Sequence, residues 1–342
     1  MDRVRKAGRP AYRVDSLVVL PFVNLTANPA DEYFSDGLTE ELTNAVAHLD
    51  GLRVVARTSA FQFKGKPVDI RSISRQLKVS SVLEGSVRRQ LNKLRVTVQL
   101  NDAQSGYHIW SQTYDRDVGD IFSIQEDISN QVTRAIRPDG RAVRAATGIR
   151  DREAYNLYLL GRFHRAKHDQ ASVRKAIAFF QQAIDRDAGY AAAYSGLAEC
   201  YIKMAQQSFM PPLEAWAVAQ KEATKALALD DNLAEAHTTQ AILHLLMDRN
   251  WEAAEGQFRR AIALNANDAA AHHWFSHYFI AMGRFSESLA ESRKALELDP
   301  LDAQISGHLI FHYVRAGDYP TRSRQGCRRW SLILTAVLLT FS

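Results

Sequence analysis

The sequence predicts a two-domain chain, a mixed α/β sandwich followed by an all-α superhelix of repeated helix pairs. Three observations carry that reading. At 342 residues the chain exceeds one average domain. Residues 16–137 alternate between β-branched runs and helix-period segments, and residues 151–320 repeat with a period near 34. A composition of 46% hydrophobic and 24% charged residues is that of an ordinary globular chain and excludes a disordered or collagenous one.

The first domain opens with Ser16–Phe22, a short apolar run of the kind that forms a strand buried on both faces. A polar loop from Asn24 to Ala30 follows. Between Asp31 and Leu49 a helical stripe is made by Phe34, Leu38, Leu42, Ala45, Val46 and Leu49. Gly51 ends it, and Leu52–Arg57 reads as a second strand, parallel to the first by the right-handed crossover rule. A short helix is predicted over Asp69–Lys78. Three strands, Ser81–Arg89, Leu94–Asp102 and Tyr107–Tyr114, are joined by hairpin-length polar links and predict an antiparallel meander. In the middle one, Leu94, Val96, Val98 and Leu100 alternate with Arg95, Thr97, Gln99 and Asn101, so one face is buried and one wet. An amphipathic helix from Ile121 to Ile136 closes the domain, and residues 138–150 form a linker after the Pro-Asp-Gly break.

The ordered segments VVLPFVNLTANPADEYFSDGLTEELTNAVAHLDGLRVVARTSAFQFKGKPVDI, VLEGSVRR and GYHIWSQTYDR resemble the TolB-like amino-terminal domain, also called FlgO-like. The resemblance covers about residues 16–137. It implies a module of bacterial multidomain signalling proteins, set between a cyclase, kinase or winged-helix output domain and a repeat array.

The second half is built on small anchors at Ala183, Ala226, Ala261 and Ala295. HHWFSHYFIAMGRFSESLAESRKALELDPLD shows the unit most cleanly, with Gly283 at the interhelix turn and Pro300 at the exit. Residues 154–188 and 234–268 form further units, and residues 193–204 begin another, lengthened by an insertion holding Pro211 and Pro212. This pattern is similar to the tetratricopeptide repeat, and it implies about four units plus a partial fifth over 151–320. Each pair buries only one face alone, so stacking neighbours completes the core. The resemblance places Tyr158, Arg162, Arg165, Ser195, Glu199, Thr238, Ile242, His273 and His277 on the concave, partner-binding side. The fifth unit stops after Tyr319, and the basic, apolar tail over 321–342 carries no repeat pattern. It is expected to be either the product of a truncated or frameshifted frame or an improvised cap.

The net charge of +5 is unevenly spread. Residues 1–13 carry +4 and residues 321–342 carry +4, while 14–150 hold +1 and 151–320 hold −4. Neither body has the basic face that nucleic-acid binding requires. The longest apolar run, Ser331–Phe341, is too short to span a bilayer. Residues 1–15 are expected to be a basic leader or a truncated linker rather than an export signal. The two cysteines, Cys200 and Cys327, fit a reducing compartment, and the expected location is cytoplasmic.

No phosphate-cradling glycine loop, serine-hydrolase elbow or H-E-x-x-H zinc motif occurs. His272, His273 and His277 are the best metal candidates, but no Cys or further H-x-x-x-H is expected near them, so no metal is assigned. The acidic set Asp31, Glu32, Asp36, Glu40 and Glu41 is read as solvent-exposed helix-dipole matching. Tyr107, Trp110 and Tyr114 are read as strand-packing aromatics, and Arg88, Arg89, Lys93 and Arg95 as a solvated sheet edge. The expected function is a non-enzymatic, cofactor-free interaction module that takes a protein or peptide partner. The alternative is the regulatory fragment of an adenylyl cyclase, a protein kinase or a winged-helix transcriptional regulator.

Overall fold

The computed structural model describes residues 14–317 except 27, 29–30, 50, 68, 118–120, 137–150 and 168, with backbone alone over 121–126. The chain divides into two compact units, Met1–Gly148 and Ile149–Ser342. The expected linker, tail and Cys327 lie outside the described residues, as does the leader up to residue 13; its last two residues are corrected, because Val14 is fully buried and the Asp15 carbonyl accepts from Arg53 N–H at 3.1 Å.

The first unit holds one mixed sheet of six strands: β1 (Ser16–Val19), β2 (Val23–Asn24), β3 (Arg53–Val54), β4 (Ser81–Gln90), β5 (Lys93–Asp102) and β6 (His108–Asp117). The strand order is β3-β1-β4-β5-β6, with β2 also on β4. β1 runs parallel to β3 and β4, as a crossover connection demands, and β4, β5 and β6 are antiparallel. In β5 Leu94, Val96, Val98 and Leu100 are buried as predicted and Arg95 faces water, but Thr97 and Gln99 are half-buried, and Asn101, expected on the wet face, is fully buried where the pairing with β6 shifts register. Helix α1 (Glu32–Ala47) packs on β1, β2 and β3, and α4 (Ile121–Ile136) packs on α1 and β6.

Four expectations are corrected here. The run Ser16–Phe22 is not one strand. It breaks around Pro21, which has no N–H for a ladder, and resumes as β2, so both pieces lie along β4. Leu52–Arg57 keeps only two strand residues before the chain turns into a short helix, α2 (Arg57–Ala60), and a 3₁₀ turn, Phe61–Phe63. The basic residues Arg88, Arg89, Lys93 and Arg95 lie on the interior strands β4 and β5, not on an edge. Two of these charges are met across the sheet, Lys93 by Asp117 at 2.8 Å and Arg95 by Asp115 at 2.7 Å. Tyr107 is 78% exposed and packs no strand, while Tyr114 is buried. Helix α3 (Ile70–Leu77) sits where the periodicity predicts it and docks on β4 through the buried Ile73 and Leu77.

The second unit is helical throughout its described residues. Its helices pair as α5 (Arg152–Arg165) with α6 (Gln170–Arg186), α7 (Ala191–Gln206) with α8 (Pro212–Leu229), α9 (Ala234–Leu243) with α10 (Trp251–Leu264), and α11 (Ala269–Ala281) with α12 (Phe285–Leu298). Helix α13 (Ala303–Ala316) stands where a fifth first helix belongs. Aspartates start four of these helices: Asp151, Asp169, Asp268 and Asp302 each accept a backbone N–H of the first turn. The anchors Ala183, Ala226, Ala261 and Ala295 are fully buried, as stacking requires. Left-handed residues recur where first helices end, at Arg249, Gly283 and Gly317. The insertion around Pro211 and Pro212 is absorbed by lengthening α8 to 18 residues, with Pro212 at its first position, where no N–H is needed. Helix α9 is prolonged by one π turn, His244–Asp248.

Candidate functional site

The repeat geometry decides which side chains can work together. Each first helix touches the first helix of the next unit, in the series α5, α7, α9, α11 and α13. The second helices are spread further apart. The first helices therefore form one continuous face that runs from unit to unit.

Along that face the residues expected at the site fall into three groups. Tyr158 is nearly buried in an aromatic nest with Phe180 and Tyr190, ring centroids 5.8 and 4.9 Å away. Its hydroxyl accepts a hydrogen bond from Arg162 Nη1 at 3.2 Å. Arg165 of α5 forms an ion pair with Glu199 of α7, about a third exposed on both sides. Ser195 is buried one turn before Glu199. Lys203, one turn after Glu199, joins this group and lies outside the expected set. Burial first, and the Arg165 charge second, pull its ammonium down to about 8. The i, i+4 continuation from Ser195 and Glu199 was the available signal.

The middle group is buried and structural in contact. Thr238 Oγ1 donates to Asp268 Oδ2 at 2.9 Å, tying α9 to the cap of α11, and Ile242 joins the hydrophobic core with Phe258 and Phe275.

In the third group, His273 and His277 of α11 face His308 and His312 of α13. His277 Nε2 lies 2.9 Å from His308 Nδ1, and His273 Nε2 lies 3.2 Å from the same atom. The expectation that no second H-x-x-x-H lies nearby is therefore corrected. The pair sits 35 residues on, one repeat away, and stacking brings it alongside. His272, by contrast, points elsewhere, to Glu291 Oε2 at 2.5 Å and the Ala266 carbonyl.

The first unit carries its own corrected feature. Asp36 and Glu40 are not solvent-exposed: both are 3% exposed. Lys64 Nζ donates to Asp36 at 2.5 Å and reaches Glu32 at 2.7 Å, while Arg57 pairs with Glu40. The Arg57 guanidinium lies 3.8 Å over the Phe61 ring. Burial raises the Asp36 carboxyl above its ordinary value, against the pull of Lys64. Beside this cluster a cleft of about 550 Å³ is lined by Pro21, Lys64, Lys66, Glu84, Ser86 and Gln99, among others. Cys200 is buried, and burial pushes its thiol up to about 12, so it is inert packing.

Paired helices, buried alanine anchors and contacts between successive first helices define the second unit as an array of stacked helix pairs. No protein-family model matches the chain. Over 186 residues, 53% of its length, the chain is 38% identical to "Putative adenylate cyclase 3" of Rhizobium meliloti, covering 32% of that protein. Over 303 residues, 86% of its length, it is 24% identical to the transcriptional regulator HilA of Salmonella typhimurium, covering 52% of that protein. The chain thus spans between a third and about half of the length of these curated relatives. A thermophilic TPR protein of Thermus thermophilus superposes with a TM-score of 0.41 at 19% identity over 56% of this chain and 92% of that one. Among the described residues no helix is long and apolar enough to cross a membrane.

Proposed function

We propose that the chain is a non-enzymatic interaction module of a bacterial signalling or regulatory protein, docking a peptide segment of a partner along the first helices of its repeat array. The observation that carries this is the cationic group on α5 and α7. Arg162, Arg165 and Lys203 lie along neighbouring first helices, and Glu199 pairs with Arg165. Arg162, Arg165 and Lys203 outnumber the carboxylate of Glu199, which leaves this group net positive, so the segment is acidic. The first unit, read as a TolB-like (FlgO-like) module, takes its own ligand in the cleft beside Lys64 and Lys66.

The test is fluorescence anisotropy of labelled acidic and neutral peptides against the full chain and its Arg162→Glu/Arg165→Glu variant. Acidic peptides bind the wild type, and the variant loses that binding while keeping its melting temperature. Equal binding of both peptide classes, or an unaffected variant, refutes the groove.

A second reading places the chain as the regulatory part of a larger adenylyl cyclase, kinase or winged-helix regulator. It is favoured by relatives named as an adenylate cyclase and a transcriptional regulator, of which the chain spans only a part. An in-frame catalytic or DNA-binding domain encoded upstream of Met1 establishes it, and a stop codon immediately upstream refutes it.

A further inference from the structure

Two H-x-x-x-H pairs, His273/His277 and His308/His312, stand 35 residues apart on the first helices of successive repeat units. A spacing of four puts each pair on one helical face, and the contact of α11 with α13 turns the two faces together. The His273 and His308 rings stack at 5.0 Å and 7°. One ring nitrogen each from His273, His277 and His308 lies within 4.8 Å of the other two.

Hydrogen bonding alone leaves this arrangement incomplete. His273 and His312 are buried, and His277 and His308 are half-buried. A neutral imidazole offers one N–H and one lone pair. A head-to-tail chain satisfies part of the cluster: Ser292 Oγ to His312 Nδ1 at 2.6 Å, His312 Nε2 to His277 Nδ1 at 3.2 Å, and His277 Nε2 to His308 Nδ1 at 2.9 Å. His308 Nδ1, however, faces His273 Nε2 as well, at 3.2 Å. Whether it carries a proton or a lone pair, it has one for two partners. A cation among the three nitrogens resolves the conflict, because each then supplies its lone pair to a common centre.

The dimensions fit such a centre. Imidazole nitrogens bind zinc at about 2.0–2.1 Å, which in a tetrahedron sets them about 3.3 Å apart. Two of the three separations, 2.9 and 3.2 Å, differ from that by a few tenths of an ångström; the third, between His273 and His277, lies within 4.8 Å, so these two rings draw together on the ion. The outer shell is also in place. With its Nε2 on a metal, His277 donates its Nδ1–H to His312, and His312 donates in turn to Ser292. His312 and Ser288 are wholly buried and Ser292 nearly so, and Ser288 Oγ donates to the Ser276 carbonyl at 2.9 Å. Such partners fix ligand tautomer and orientation.

We propose that His273, His277 and His308 form a binding site for a divalent first-row transition ion of the zinc type, oriented by His312 and Ser292, with a fourth coordination position open. Three imidazoles without a carboxylate select zinc, nickel or copper over magnesium and calcium. His277 and His308 keep partial exposure, which gives the ion a way in. The inference stands apart from peptide docking at α5 and α7, since it uses other residues and another readout.

The experiment is titration of the full chain, first stripped with chelator, with Zn²⁺ against a chromophoric competitor and with Co²⁺ as visible probe. One equivalent binds, Co²⁺ gives the absorption of a four-coordinate site, and Zn²⁺ displaces it. Affinity falls about 10–100-fold in His312→Ala, as for loss of an outer-shell partner, and further in His273→Ala/His308→Ala. His308→Gln, at a partly exposed position, keeps the apo melting temperature and still loses the site. His272→Ala leaves affinity unchanged. No stoichiometric binding by the wild type, or equal binding by the double variant, overturns the assignment.

Discussion

Helix packing makes opposite predictions for glycine-to-alanine substitution at Gly196 and at Gly256. Gly161 on α5 and Gly196 on α7 both close on the same Phe180 ring of α6. A Cβ at Gly196 would lie 2.6 Å from Phe180 Cζ, and one at Gly161 would lie 2.7 Å from two ring atoms. Carbon atoms rest at about 3.5–4.0 Å, so the ring must retreat by about 1 Å. Phe180 is fully buried and has Tyr158 beside it, which leaves no room for that. Overpacking of this kind costs about 1–3 kcal/mol. Gly256, inside α10, is the internal control, because its Cβ would meet nothing within 4 Å.

Replacing glycine by alanine in a helix gains about 0.8–1.0 kcal/mol in backbone terms. Gly256→Ala therefore raises stability by nearly that amount. Gly196→Ala lowers it by about 1 kcal/mol once gain and clash are combined. The two variants should melt about 4–8 °C apart for a unit of this size. Thermal melts of the full chain measure the difference, and hydrogen exchange of peptides from 152–206 places the loss where α5, α6 and α7 meet. Phe180→Leu should partly rescue Gly196→Ala, a coupling visible in the double-mutant cycle. A Gly196→Ala protein as stable as Gly256→Ala would show that the close approach of α7 to α6 is wrong.

Three further outcomes follow from single sites. Arg249 holds the left-handed position that Gly283 and Gly317 hold one and two periods later, so Arg249→Gly should stabilise the array by up to about 1 kcal/mol, read as a higher denaturant midpoint. Arg57→Ala takes away the cation paired with the buried Glu40 and should destabilise the first unit by about 2 kcal/mol, less than the roughly 3–5 of a fully enclosed pair because Arg57 keeps some solvent contact. Stability of the metal-free array should fall with acid. His312 and His273 titrate at about 4 and about 3 when folded but near 6.5 when unfolded, so from about pH 6.5 downward the unfolded chain alone takes protons. Each histidine then contributes a slope of up to about 1.4 kcal/mol per pH unit, and His312→Asn should remove its share; a midpoint identical at pH 7.5 and 5 contradicts the burial of these rings.

Local pattern was legible where local physics decides. Alternation along β5 named its buried face residue by residue, and the alanine anchors of the repeats all proved buried. What escaped involved partners distant in sequence. Asp36 and Glu40 read as exposed because nothing near them offers a cation; Arg57 and Lys64 arrive from the turn after β3. Pro21 sits inside an apolar run that looks like one strand, and its missing N–H splits the run into β1 and β2.

The histidines show the same limit and also its remedy. Around His273 and His277 the neighbouring sequence holds no third ligand, and local spacing therefore assigns no metal. In a repeat array, however, the spatial neighbour of a residue on a first helix lies one period away. Adding 35 to 238, 273 and 242 leads to 273, 308 and 277 in turn, all on first helices in contact. Thr238 and Ile242 are thus the equivalents of His273 and His277 one unit earlier, and there a hydroxyl bonded to Asp268 and a core aliphatic replace the imidazoles. The fold positions the pair of faces in every unit, and among the described residues the last interface carries nitrogen on both sides. A search by repeat period, rather than by local spacing, is therefore the sequence operation that would have found the four-histidine cluster.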